Sequence, residues 1–156
     1  MKIIEDDLFS LFDAGEFDAI GHGCNCFNTM GGGIAAQVRS RYPDAWAKDQ
    51  NTISGDINKL GTFTVCDSYY DKPYFRNRLY NLYTQYDFGG GGRIYLNYDA
   101  LKLCFYKLNL LEKGKKIGLP MIGCGLAGGD EITVTKLIDL YLKDCDVTLV
   151  KYKGKV

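Results

Sequence analysis

The spacing of apolar residues switches repeatedly between a two-residue and a three-to-four-residue period, which predicts strands alternating with helices. Residues 1–5 read as a short strand, and Asp6 and Asp7 can cap a helix from Leu8 to Ala14 that Gly15 stops. Asp18, Ala19 and Ile20 begin a second strand, which runs into a loop of small and amide residues from Gly21 to Gly33. A helix follows from Ile34 to Arg41, and Pro43 opens the next, over Asp44 to Lys48. Residues 62–66 and 78–84 alternate as strands, with a turn around Pro73 between them, and residues 89–92 form a flexible glycine loop. Leu101, Cys104, Phe105, Leu108 and Leu111 recur at helical spacing behind Asn97, a candidate cap, and Gly114 closes that helix. A buried-type strand over residues 117–122 leads into a second glycine loop, residues 123–129. Val134, Leu137, Ile138, Tyr141 and Leu142 then mark a one-faced helix, and residues 146–152 a last strand.

Alternating strands and helices on short loops imply an α/β fold: a three-layer α/β/α arrangement with a mixed, mainly parallel sheet and helices on both faces. In such sheets ligands bind beyond the carboxyl ends of the strands. Both large glycine loops fall at that position, each after a strand and before a helix. Three consecutive glycines, Gly31, Gly32 and Gly33, leave backbone N–H groups unshielded at a helix start, where the helix dipole also favours an anion. Two such loops facing each other would grip a diphosphate from both sides. Gly123, Gly125 and Gly128 also satisfy the dinucleotide pattern G-x-G-x-x-G. A dinucleotide fold places that turn after its first strand, whereas here one helix and one strand remain, so a nicotinamide oxidoreductase is the weaker alternative.

A chain of 156 residues suits one domain, residues 1–156, with no linker or repeat. Nineteen basic and nineteen acidic residues leave no global field for a polyanion, which argues against long nucleic acid as the principal ligand. No run approaches the length of a membrane span and no leader pattern is visible, so no membrane partner is expected. Six cysteines without a Cys-x-x-Cys pair, and a single histidine, make a zinc site improbable and fit a reduced, cytoplasmic setting. Neither metal nor cofactor is expected.

His22, the sole histidine, sits beside Asn25 and Asn28 where polar side chains at a strand end would face a ligand; a structural histidine bonded to nearby backbone has the same sequence signature. Asp130 follows Gly128 and Gly129 and precedes a helix, so it is either an N-cap or a general base or nucleophile sheltered at the loop. Cys24, Cys26 and Cys124 read as small loop residues, since no basic neighbour is visible to activate a thiol. The twelve tyrosines fall mostly in strands and cover sheet faces, with one or two left to stack on a base.

As a set these motifs resemble a macrodomain, the ADP-ribose-binding α/β fold, over nearly the whole chain. Residues 3–8 are similar to its first strand, whose aspartate binds the adenine amino group; this role falls on Asp7, with Leu8 beside it. Residues 21–25 followed by 30–35 resemble the first binding loop, in which an asparagine holds the distal ribose and glycines accept the diphosphate. Asn25 matches that asparagine, with Asn28 near it and Gly31, Gly32, Gly33 and Ile34 against the diphosphate. Residues 117–130 resemble the second loop in the subgroup of ADP-ribose 1″-phosphate phosphatases and related de-ADP-ribosylating hydrolases, which brings in Gly123, Cys124, Gly125, Leu126, Ala127 and Gly128. Residues 81–85 and 98–101 are also similar to that subgroup. Two departures stand out: His22 replaces the first asparagine of the usual Val-Asn-Ala-Ala-Asn, and Glu131 stands where an aromatic residue is common.

The resemblance implies a small-molecule ADP-ribose derivative as ligand. The expected reaction is dephosphorylation of ADP-ribose 1″-phosphate, with Asp130 activating water or attacking and His22 protonating the leaving oxygen. The alternatives are release of ADP-ribose from an acidic side chain of an ADP-ribosylated protein, and a reader module that only binds.

Overall fold

Strands whose apolar residues point to both faces need cover on both sides, and the chain meets this by returning a helix over one face or the other after nearly every strand. A computed structural model of the chain describes residues 1–69 and 76–152; the expected turn at Pro73 lies outside the described residues. In chain order the elements are β1 (Lys2–Asp6), α1 (Leu8–Asp13), β2 (Ala19–Cys24), α2 (Gly33–Arg41), α3 (Pro43–Gln50), a 3₁₀ turn (Ile57–Lys59), β3 (Phe63–Tyr69), β4 (Arg76–Tyr83), α4 (Tyr98–Leu111), β5 (Lys116–Leu119), α5 (Glu131–Tyr141) and β6 (Asp146–Tyr152). The strands lie in the order β1-β6-β5-β2-β4-β3. The first five are parallel, and β3 runs antiparallel beside β4, giving the mixed, mainly parallel sheet that the pattern predicts.

Two apolar clusters sandwich this sheet. Leu8, Phe9, Phe12, Val38, Tyr42 and Ala45 of α1–α3 pack on one face against Ile20, Leu79 and Tyr83. Leu101, Phe105 and Leu108 of α4, with Val134 and Ile138 of α5, pack on the other against Leu82, Ile117, Leu119 and Leu149. Among the described residues, no helix is long and apolar enough to cross a membrane.

One boundary differs from expectation in a way that matters. The loop expected from Gly21 begins four residues later, at Asn25, because Gly21, His22, Gly23 and Cys24 pair in register with Tyr80, Asn81, Leu82 and Tyr83. Strand alternation therefore sends His22 and Cys24 to the α1–α3 face and leaves Gly23 on the other.

At the opposite edge of the sheet Glu112 is fully buried. It takes a bidentate pair of hydrogen bonds from Arg78 and a third from Tyr80 Oη at 2.6 Å. Burial alone would raise the Glu112 carboxyl; the bonds from Arg78 and Tyr80 outweigh it and hold the group below its ordinary value. Replacing the carboxylate strands a guanidinium and a phenol between α4 and β4. We expect Glu112→Ala to lose about 3 kcal/mol in urea denaturation, with the denaturant slope unchanged.

Candidate active site

All five parallel strands deliver their carboxyl ends to one edge, and a cleft of about 920 Å³ runs along it. Asp6 ends β1, Lys151 and Tyr152 end β6, Pro120 follows β5, Gly23 lies near the end of β2, and Gln85 follows β4; all line the cleft. Four strand spacings of about 4.8 Å make it roughly 19 Å long.

Its middle is built from the two glycine loops. Gly32 caps α2 without a side-chain bond, so the first N–H groups of that helix are left for a ligand. Facing them, the N–H groups of Gly125, Leu126 and Ala127 have no acceptor among the described residues. The second loop can bend this way because Gly123 has φ +76° and a side chain there would reach within 2.7 Å of Leu96 Cδ1. Charged groups are few at the lining: Asp6, Asp7, Glu131 and Lys151, the last two paired at 3.8 Å. An anion at the centre would therefore meet oriented backbone dipoles rather than cationic side chains.

Of the residues expected from sequence, Asp7, Leu8, Gly32, Gly33, Ile34, Gly123, Cys124, Gly125, Leu126 and Ala127 are brought together on this lining. Asp7 Oδ1 caps α1, accepting from the N–H groups of Phe9 (3.0 Å) and Ser10 (3.3 Å). Burial, with Glu131 and Asp130 nearby, pushes the Cys124 thiol up to about 11, so it is protonated at neutral pH and is no nucleophile. Gly31 and Gly128 support the loops without lining the cleft.

The asparagines do not face it. Asn25 Oδ1 accepts from Phe27 N–H at 2.8 Å and its amide donates to Thr29 Oγ1 at 2.7 Å, an Asx turn that shapes the loop. Asn28, at φ +58°, donates to Thr52 O at 2.8 Å and accepts from Lys59 Nζ. Lys59 Nζ also donates to Cys26 O at 3.1 Å and lies over the Tyr83 ring. The first loop is thus tied down from beneath by a buried lysine.

His22 requires a correction. It is 1% exposed, beneath α3, and absent from the cleft lining, because it lies within β2 rather than beyond it. The Asn81 amide donates to Ala45 O and Thr64 Oγ1, both at 3.0 Å, so Asn81 Oδ1 must be the acceptor at 2.6 Å from His22 Nε2. Nε2 therefore carries the proton, and the ring is neutral. Burial lowers its pKa to about 4, against a smaller upward effect of Asn81. Cys24 Sγ lies 3.8 Å from Nδ1, but burial holds that thiol far above its ordinary value, so this is no thiolate–imidazolium pair.

Asp130 is the N-cap of α5: its Oδ2 accepts from Thr133 N–H (2.9 Å) and Thr133 Oγ1 (2.7 Å). Those two bonds lower its pKa and keep it ionised. The carboxylate is exposed beside the lining residue Glu131 and is not itself in the cleft wall. His22 and Asp130 do not form an acid and base pair across one site.

Phe9, Gln85, Lys151 and Tyr152 line the cleft without having been expected there. The residues at and just past the ends of β4 and β6 could have been found by asking what each parallel strand carries at its carboxyl end.

No family model matches the chain. It is 33% identical over 160 residues to the uncharacterized 17.5 kDa protein of the tk-vs intergenic region of Enterobacteria phage T4, covering 98% of this chain and 97% of that one. The macrodomain of Thermus aquaticus DarG superposes with TM-score 0.70 at 18% identity, over 98% of this chain and 97% of its own. The chain has the macrodomain fold. A Trypanosoma brucei macrodomain in complex with ADP-ribose has the same fold, with TM-score 0.61, 16% identity and coverage of 97% and 63%. A shorter match links the chain to an ADP-ribose 1″-phosphate phosphatase of Ajellomyces capsulatus: 46% identity over 46 residues, 30% of this chain and 18% of that one.

The buried neutral His22 makes the protein sensitive to acid. Its pKa falls from 6.5 unfolded to about 4 folded, so the folded state binds fewer protons between those values. Stability is whole above pH 6.5 and declines as pH falls toward 4, by about 3 kcal/mol from this group. Urea denaturation at pH 7 and pH 4.5 should show that decline in the wild type and a flatter dependence in His22→Asn.

Proposed function

We propose that this macrodomain binds ADP-ribose along the carboxyl edge of its sheet and hydrolyses ADP-ribose 1″-phosphate to ADP-ribose and phosphate. The observation that carries the binding reading is the pair of opposed N–H clusters, at the start of α2 and at Gly125–Ala127, midway along a cleft roughly 19 Å long. A diphosphate between them places one nucleoside half toward β1 and β6, with adenine against Asp7 and beside the aromatic ring of Tyr152. The distal ribose then lies toward β2 and β4. Fixed donors aimed at the phosphates supply charge stabilisation without reorganisation. The partial match to a phosphatase supports the choice of reaction.

Asp130 is the group best suited to move a proton. One carboxylate oxygen is held by Thr133, the other makes no hydrogen bond among the described residues, and the group is ionised. In the proposed step Asp130 takes a proton from a water as that oxygen bonds to phosphorus. The bond from phosphorus to the C1″ oxygen breaks, and the proton passes from Asp130 to that leaving oxygen. His22 has no part in it, since burial beneath α3 holds it neutral and away from the cleft.

Phosphorus NMR of ADP-ribose 1″-phosphate with catalytic amounts of protein tests the reading. We expect the monoester signal to give free phosphate, and Asp130→Asn to slow this about 10²- to 10⁴-fold while still binding ADP-ribose. Shifted diphosphate signals without phosphate release would leave a reader, or a hydrolase acting on ADP-ribosylated protein. Unchanged turnover in the variant would remove Asp130 from the mechanism.

A further inference from the structure

Thr84 follows the last residue of β4 and is fully buried. Its backbone is satisfied: the N–H donates to Cys24 O at 3.2 Å, and the carbonyl accepts from Asn97 N–H at 2.8 Å. Its hydroxyl is not. Among the described residues, Thr84 Oγ1 is the one buried side-chain polar atom without a hydrogen-bond partner. A buried hydroxyl left unpaired costs stability that an isosteric valine would not, so its presence here calls for a partner that arrives from outside the chain.

The surroundings indicate where that partner enters. A side chain on Gly23 would begin 2.8 Å from Thr84 Oγ1 and 3.3 Å from Ile122 Cγ1. Gly23 and Ile122 both line the cleft, so the hydroxyl lies directly under its floor, on the face of β2 that glycine leaves bare. Next to Thr84, Gln85 lines the same end of the cleft. We infer that Thr84 Oγ1 is a binding group of this site and hydrogen-bonds a sugar hydroxyl that enters over Gly23 and Ile122. This assignment rests on the ADP-ribose reading: with the base toward β1, the group reaching β2 and β4 is the ribose beyond the diphosphate. A threonine hydroxyl both donates and accepts, and so matches a ribose hydroxyl in either role.

Calorimetric titration of the wild type, Thr84→Val and Thr84→Ser with ADP-ribose and with ADP, alongside thermal melting, tests this. ADP lacks the distal ribose. Thr84→Val should weaken ADP-ribose binding about tenfold, leave ADP binding unchanged and melt at the same or a higher temperature, the opposite signs of a function bought with stability. Thr84→Ser, which keeps the hydroxyl, should recover most of the affinity. Wild-type affinity for ADP-ribose in Thr84→Val overturns the assignment. So does a parallel loss of ADP binding or a lowered melting temperature, which marks a structural role. A wild type that binds neither ligand removes the ADP-ribose reading and this assignment with it, whereas ADP-ribose binding that ignores Thr84→Val removes this assignment alone.

Discussion

Parallel pairing of β1, β6, β5, β2 and β4 is the constraint from which the site follows. Parallel neighbours cannot be joined by tight hairpins, so each strand leaves at the same edge and the chain must cross back over a face. The exits of β2 and β5, adjacent in the sheet, both turn on glycine and both lead to a helix start. The N–H groups of both loops therefore lie along one cleft with no choice of side chain required. With Lys151 paired to Glu131 and two aspartates at the far end, the charge that an anionic ligand meets first is backbone charge.

A loop that binds through its backbone must be held in shape by something other than the ligand. Here a polar layer beneath α3 performs that task. Tyr83 Oη donates to Asp49 at 2.7 Å, Lys59 lies over the Tyr83 ring, and its ammonium group holds Cys26 O and the Asn28 side chain. His22, Asn81 and Thr64 continue the layer within the sheet. Burial raises the Asp49 carboxyl, and the Tyr83 and Lys59 contacts oppose it, so the layer remains polar inside an otherwise apolar face. The Asn25 side chain bonds within the loop, to Phe27 and Thr29, and that of Asn28 bonds beneath it, to Thr52 and Lys59.

The elements themselves were readable because each carries local instructions. Asp7, Asn97 and Asp130 cap the helices they precede, apolar residues recur at the right period in α4 and α5, and glycine stretches follow β2 and β5. The backbone part of the site was readable for the same reason: a glycine loop after a strand and before a helix has one common use. The side-chain part was not. Whether His22 faces ligand or core depends on whether β2 ends before or after it, and that is decided by the length of β4, its partner. Thr84 fell inside the similar segment 81–85 but nothing marked its hydroxyl, since an unpaired hydroxyl exists only relative to the atoms that fail to reach it.

The sequence by itself determined an α/β chain with two glycine loops at strand ends, because periodicity, caps and backbone freedom act over a few residues. Only the tertiary structure decided which strand ends stand together, that His22 is a neutral buried strut, and that a buried Thr84 hydroxyl lies against Gly23 beneath the floor of the cleft. Those outcomes depend on register and strand order, which bring residues such as His22 and Asn81, or Gly23 and Thr84, into contact from about sixty positions apart in the chain.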